Sequence, residues 1–330
     1  MKKNIFYISW LQVIGPILVI LGHSLNGIEL YGAWYIFSKQ FIYIFHMPLF
    51  FFISGYLLSH NGWSKNKTYC EFLKNKFLRL LLPYFVWNLL MILPKFLMKN
   101  FLTEEFSSDI VSIFKVFLYP RQNILGHTRF LAALFIIFIF TPILKKLFCS
   151  KSMLSYCAMI FGVILYCMPL NSEFLCISDL HKDLLFFMIG IYAGNYSEDE
   201  FLNFVNKTKY IWVSVSIILT YLFLNYYDDL AVWRFIPCLC IIMSILSVVS
   251  VMKNIDIERA ASYSFGIYIM HWPVMLAARV FLYQILKIDT VICVIVMVLL
   301  GWFIPVLIIE FLRHILPQKF IKPFHYLLGV

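Results

Sequence analysis

Charge is scarce in this sequence: only 13% of its 330 residues are Asp, Glu, Lys or Arg, against 62% hydrophobic. That balance excludes a water-soluble globular domain and indicates a polytopic, all-α membrane protein. Glycine is also scarce, at 13 residues, so the 34 Phe, 20 Tyr and 8 Trp are expected to make most helix contacts. Eight cysteines (Cys70, Cys149, Cys157, Cys167, Cys176, Cys238, Cys240 and Cys293) show neither a secreted disulfide framework nor zinc-like pairing. Lying mainly within or beside apolar runs, they read as small packing residues. The formal charge of +10 does not indicate nucleic acid, because the basic residues flank apolar runs in short clusters, as membrane orientation requires. No cleavable signal is expected: the first apolar run is too long for a signal core and lacks a small-residue cleavage site.

What is present divides into ten apolar spans, at 6–27, 37–59, 77–98, 130–148, 153–170, 184–196, 210–226, 235–252, 262–284 and 290–312, read as a single domain over 1–330. With the N-terminus in the cytoplasm, the inner segments hold seventeen basic residues and the outer ten, so both termini are expected in the cytoplasm.

The run FYISWLQVIGPILVILGHSLNG carries one ionisable group, His23. At about 100° per residue, Gln12, Pro16, Val19 and His23 share a stripe, with Asn26 and Gly27 at its edges. An intramembrane histidine is a functional-site candidate, although a structural histidine bonded to a neighbouring helix fits the same pattern. The second span descends from the same outer side, which puts His46 at similar depth. The loop from Ser59 to Arg79 sets five basic residues against Glu71; it reads as a positive-inside anchor, or as an entrance where Lys74, Lys76 and Arg79 meet a phosphorylated donor. The long segment from Lys99 to Arg129 is expected to contain a helix on the outer membrane surface and delivers His127 and Arg129 to the outer side. His271 precedes Trp272-Pro273 in the ninth span, where proline should kink the helix and free backbone polar groups. Glu310 is accounted for by the interface or by Arg313 at i+3.

Five stretches, in order, resemble the integral-membrane acyltransferase-3 family, especially its fucose 4-O-acetylase-like branch: YISWLQVIGPILVILGHS, FHMPLFFFISGYLLS, RLLLPYFVW, GHTRFLAALF and SYSFGIYIMHWPV. The resemblance implies ten transmembrane helices in a bacterial cytoplasmic membrane. It also implies transfer of an acyl group, usually acetyl from cytoplasmic acetyl-CoA, to a hydroxyl of an extracytoplasmic or lipid-linked glycan. The family histidine matching His23 is the proposed catalytic residue, as general base or acyl carrier. His46 follows as an orienting partner or substrate ligand. Ser24 and Asn26 are candidates for substrate binding or for satisfying local helix-end backbone, and His127 and His271 for the same cavity. Acetyl-CoA is the expected co-substrate, with no metal; partners are the glycan acceptor and membrane lipid. Three positions depart from the family pattern. Ser9 and Gln12 stand where it commonly has an acid and a base, so a neutral pair replaces a charged one without leaving an orphan. Gln12 lies roughly 16 Å from His23 along an ideal helix, so altered donor handling is expected before loss of the base. Arg129 replaces a tryptophan, either as a snorkelling cation or as a new charge on the acceptor side. A transporter or flippase using the same cavity, and a catalytically silent partner in glycan synthesis, are the competing classes.

Overall fold

The computed structural model describes residues 5–25, 33–61, 68–97, 118–122, 125–148, 153–226, 234–252, 257–315, 324 and 326–328, and among them it is all helical, with no strand. The chain opens with α1 (Phe6–Ser24) and α2 (Ala33–His60). A second rod follows: α3 (Tyr69–Lys76), a π-helical stretch (Phe77–Leu81), α4 (Leu82–Leu90) and α5 (Ile92–Leu97). A 3-10 turn at Gly126–Thr128 leads into α6 (Arg129–Ile139) and then α7 (Thr141–Phe148), with a bend of 62° at the break between α6 and α7. Next come α8 (Met153–Cys167), α9 (Ile177–Gly194), α10 (Glu198–Lys207), α11 (Lys209–Tyr226) and α12 (Phe235–Val249). The series ends with α13 (Glu258–Ser262), α14 (Ser264–Arg279), which runs into a π-helical stretch (Val280–Ile285), and α15 (Thr290–Ile315).

Six of these helical segments are long and apolar enough to cross a bilayer, and seven if the bent α6/α7 pair is one span. Exposed apolar side chains such as Ile160, Ile217 and Leu307 cover their outward sides, as lipid contact demands. The protein is a multi-pass integral membrane protein. The ten spans expected from sequence are not all reached by length and composition: α8 and α12 have 15 residues each, and α9 carries Asp179, Lys182 and Asp183. Two helices are polar and begin with capping boxes, Thr68 with Glu71 for α3 and Ser197 with Glu200 for α10, in which each side chain satisfies the other's free backbone N–H.

Helix α1 packs against α2, α12, α14 and α15, while α9 lies along α2. One seam is an exception to the expected bulky contacts. A methyl group at Gly55 would overlap the Phe187 carbonyl, and one at Gly190 the Phe52 carbonyl, so the α2 and α9 backbones touch. Gly194 lies on the same seam, where an added methyl would meet the Tyr56 carbonyl. Elsewhere aromatic rings do the packing, as in Phe51–Phe130 and Phe138–Phe187. One end of the bundle is tied by polar contacts: Tyr7 to Tyr56, Ser59 to Asn195, and the Asn195 amide to the Phe148 carbonyl at 2.7 Å. Glu310 accepts from Arg313 at 2.7 Å, the structural pairing expected, and also from Tyr263. Of the cysteines, Cys176, Cys238, Cys240 and Cys293 are buried as expected, Cys70, Cys157 and Cys167 are exposed, and Cys149 lies outside the described residues. The proposed surface helix between Lys99 and Arg129 falls largely outside them too.

Candidate active site

Three histidines from distant parts of the chain meet at the end of the bundle opposite Tyr7. Their ring centroids stand 5.4 Å apart for His23–His271, 4.8 Å for His127–His271 and 6.1 Å for His23–His127. His23 sits in the last turn of α1, and its stripe-mates Pro16 and Val19 are buried, so the polar face identified in the sequence turns inward. His271 is fully buried on α14. Its Nδ1 lies 2.6 Å from the Tyr268 carbonyl and 3.2 Å from that of Ile267. Carbonyl oxygens only accept, so Nδ1 carries the proton and Nε2 keeps a lone pair. That Nε2 is buried with no protein partner, as are both ring nitrogens of His127.

The proline after His271 does not interrupt the helix: α14 passes through Pro273. Its missing N–H leaves the Ile269 carbonyl without a helical donor, and the His127 ring lies beside that carbonyl. The backbone carbonyl freed by the proline therefore faces the histidine cluster.

His127 is held by residues that the sequence reading did not single out. Asn88 on α4, 1% exposed, donates to the Tyr84 carbonyl at 2.7 Å and to Thr128 Oγ1 at 3.0 Å, and accepts the Leu125 N–H at 3.0 Å. Thr128 Oγ1 donates onward to the Leu125 carbonyl at 2.7 Å. Tyr268 donates its hydroxyl to the His127 carbonyl at 2.5 Å. A lone amide in the apolar run YFVWNLL was the available signal for Asn88.

The remaining candidates separate. His46 is buried on α2, with Nδ1 2.9 Å from the Ile42 carbonyl and its ring against Tyr43. It lies within electrostatic range of His23 and lines an adjoining cavity rather than joining the cluster. Arg129 lines the same cavity, its Nε 3.6 Å from Asp179 Oδ2. The Ser24 hydroxyl donates to the Leu21 carbonyl at 2.8 Å, the local role left open by the sequence. Asn26 lies outside the described residues. Lys74 and Arg79 are exposed, and Lys76 Nζ stands 3.8 Å from the Phe138 ring centroid. Arg79 is nine residues before Asn88, roughly 13 Å along the rod from the residue that braces the His127 turn. Ser9 donates to the Ile5 carbonyl at 3.4 Å rather than to Gln12. Among the described residues no group of three or more His, Cys, Asp or Glu is placed to hold a metal ion.

Residues 5–307 match a family whose description is an acyltransferase domain, the acyltransferase-3 domain. No curated protein and no solved structure matches the chain.

Proposed function

This chain belongs to the acyltransferase-3 family and is a membrane acyltransferase, and from that premise we propose that it moves acetyl from cytoplasmic acetyl-CoA to a glycan hydroxyl on the far side of a bacterial cytoplasmic membrane. The observation that carries the reading is the cluster of His23, His127 and His271, in which His271 Nε2 and both ring nitrogens of His127 are buried without a protein hydrogen-bond partner. An alcohol is a weak nucleophile and needs a base that works near neutral pH, which imidazole supplies.

In this reading His23 accepts the proton of the acceptor hydroxyl as its oxygen bonds to the thioester carbonyl carbon. The C–S bond then breaks, and the CoA sulfur leaves with the proton returned by His23. His271, whose tautomer is fixed through Nδ1, presents Nε2 to the same space and orients the reacting groups. A route in which His23 first carries the acetyl group uses the same geometry. Neither route requires a metal. Lys74, Lys76 and Arg79 belong to the entrance for the CoA phosphates, with the thioester reaching along α4 toward Asn88. The topology that goes with this is ten crossings with both termini in the cytoplasm, counting α8, α9 and α12 as spans. The test compares surface glycans of cells with and without the gene by mass spectrometry. Disappearance of an O-acetyl group, restored by the intact gene, supports the assignment; an unchanged acetyl inventory overturns it.

A further inference from the structure

Beside the histidine cluster lies a cavity of about 330 Å³ whose wall is unusually rich in cations. Arg121, Arg129, Lys182 and Arg234 face it, with Asp179 and Asp183 as the carboxylates. Asp179 is already used: it takes Arg121 in a two-pronged pair at 2.8 and 3.2 Å, and Arg129 approaches it at 3.6 Å. Asp183, 9% exposed, lies within electrostatic range of Arg129, Arg234 and Lys182. Among the described residues, none of Asp183, Lys182 or Arg234 forms an ion pair within 4.0 Å. With both carboxylates charged, the wall still carries two cations in excess. Cations gathered on one cavity wall repel one another, and a bound anion would relieve that repulsion.

The cavity adjoins the reaction centre. Arg129 follows His127 by two residues, and Tyr43, which lines the cavity, packs over Gly22 next to His23. An anion held by Arg234 and Lys182 therefore anchors a molecule whose other groups can reach the imidazoles. We propose that this cavity seats a carboxylate or phosphate of the acceptor, so that the protein selects acidic sugars over neutral ones. The inference rests on the acyltransferase reading for what happens to the sugar, but not for the binding itself. The phosphates of the donor are the other source of the same chemistry, and the test separates the two.

Binding to the purified full-length protein is measured by calorimetry, without turnover, for four probes: p-nitrophenyl β-D-glucuronide, glucose 1-phosphate, p-nitrophenyl β-D-glucoside and adenosine 3′,5′-bisphosphate. At least one acidic sugar should bind about ten-fold or more tighter than the neutral glucoside, with a gap that narrows as salt is raised. Arg234→Gln and Lys182→Gln should each erase most of that gap, and Arg234→Lys should keep part of it. Equal binding of acidic and neutral sugars, including none, overturns the proposal. So does a result in which Arg234→Gln weakens only the adenosine bisphosphate, which would give the cavity to the donor. A separate acetyl-transfer assay reports on the acyltransferase reading, so failure of one is distinguishable from failure of the other.

Discussion

Removing the Asn88 amide should disable the site from a distance. Its two contacts to the 125–128 segment, 3.0 Å to Thr128 Oγ1 and 3.0 Å from the Leu125 N–H, fix the turn that carries His127. In Asn88→Ala the buried Leu125 N–H loses its partner, at about 1–3 kcal/mol, while Thr128 keeps its bond to the Leu125 carbonyl and loses about 0.5–1 kcal/mol. Hydrogen bonds between membrane helices are worth about 0.6 kcal/mol on average, which pulls the sum toward its lower end, about 2 kcal/mol. If the cost falls on seating the turn, kcat for acetyl transfer should drop by roughly 10- to 100-fold, with little change in the donor KM. Asn88→Asp keeps an acceptor for Leu125 but not the donor to Thr128, and should be intermediate. Thermal unfolding of each variant, followed in parallel, separates a displaced turn from a molten bundle. Wild-type turnover by a folded Asn88→Ala protein would refute the positioning argument.

Other expectations follow from the same geometry. Tyr268→Phe removes the 2.5 Å bond to the His127 carbonyl and should lower kcat by about tenfold or less, since one net hydrogen bond is worth roughly 0.5–1.5 kcal/mol. Gly190→Ala forces α2 and α9 apart, so the melting temperature of the purified protein should fall and its folded yield collapse; a normal melting curve would mean the helices can separate freely. A membrane-impermeant maleimide applied to intact cells should label Lys287→Cys, between α14 and α15, and spare the exposed Cys70. Labelling of both would contradict the proposed orientation.

Much of the bundle was legible because its helices must present apolar residues to lipid, and the inward stripe of α1 follows from the spacing of Pro16, Val19 and His23. The start of α9 was not. The sixth span was expected to begin only at 184, after Asp179, Lys182 and Asp183, and the sequence could not show that Arg121 and Arg129 come from 58 and 50 residues away to meet Asp179. The placing of His127 and His271 in one cavity with His23 rested on the resemblance; the structure adds the Asn88 and Tyr268 contacts that fix the connecting turn. The total of glycine did not reveal the α2–α9 seam, which needs only a few residues, correctly placed. Pro273 was read correctly as a source of free backbone polarity, but its effect lies in the carbonyl beside His127 rather than in a broken helix.

The central claim is that His23 performs the transfer. It is tested most directly by following labelled acetyl from acetyl-CoA to an acceptor with purified, reconstituted protein, comparing wild type with His23→Ala after matching their thermal unfolding. The account predicts loss of nearly all transfer in the variant while the bundle remains folded. Full transfer by folded His23→Ala would contradict it.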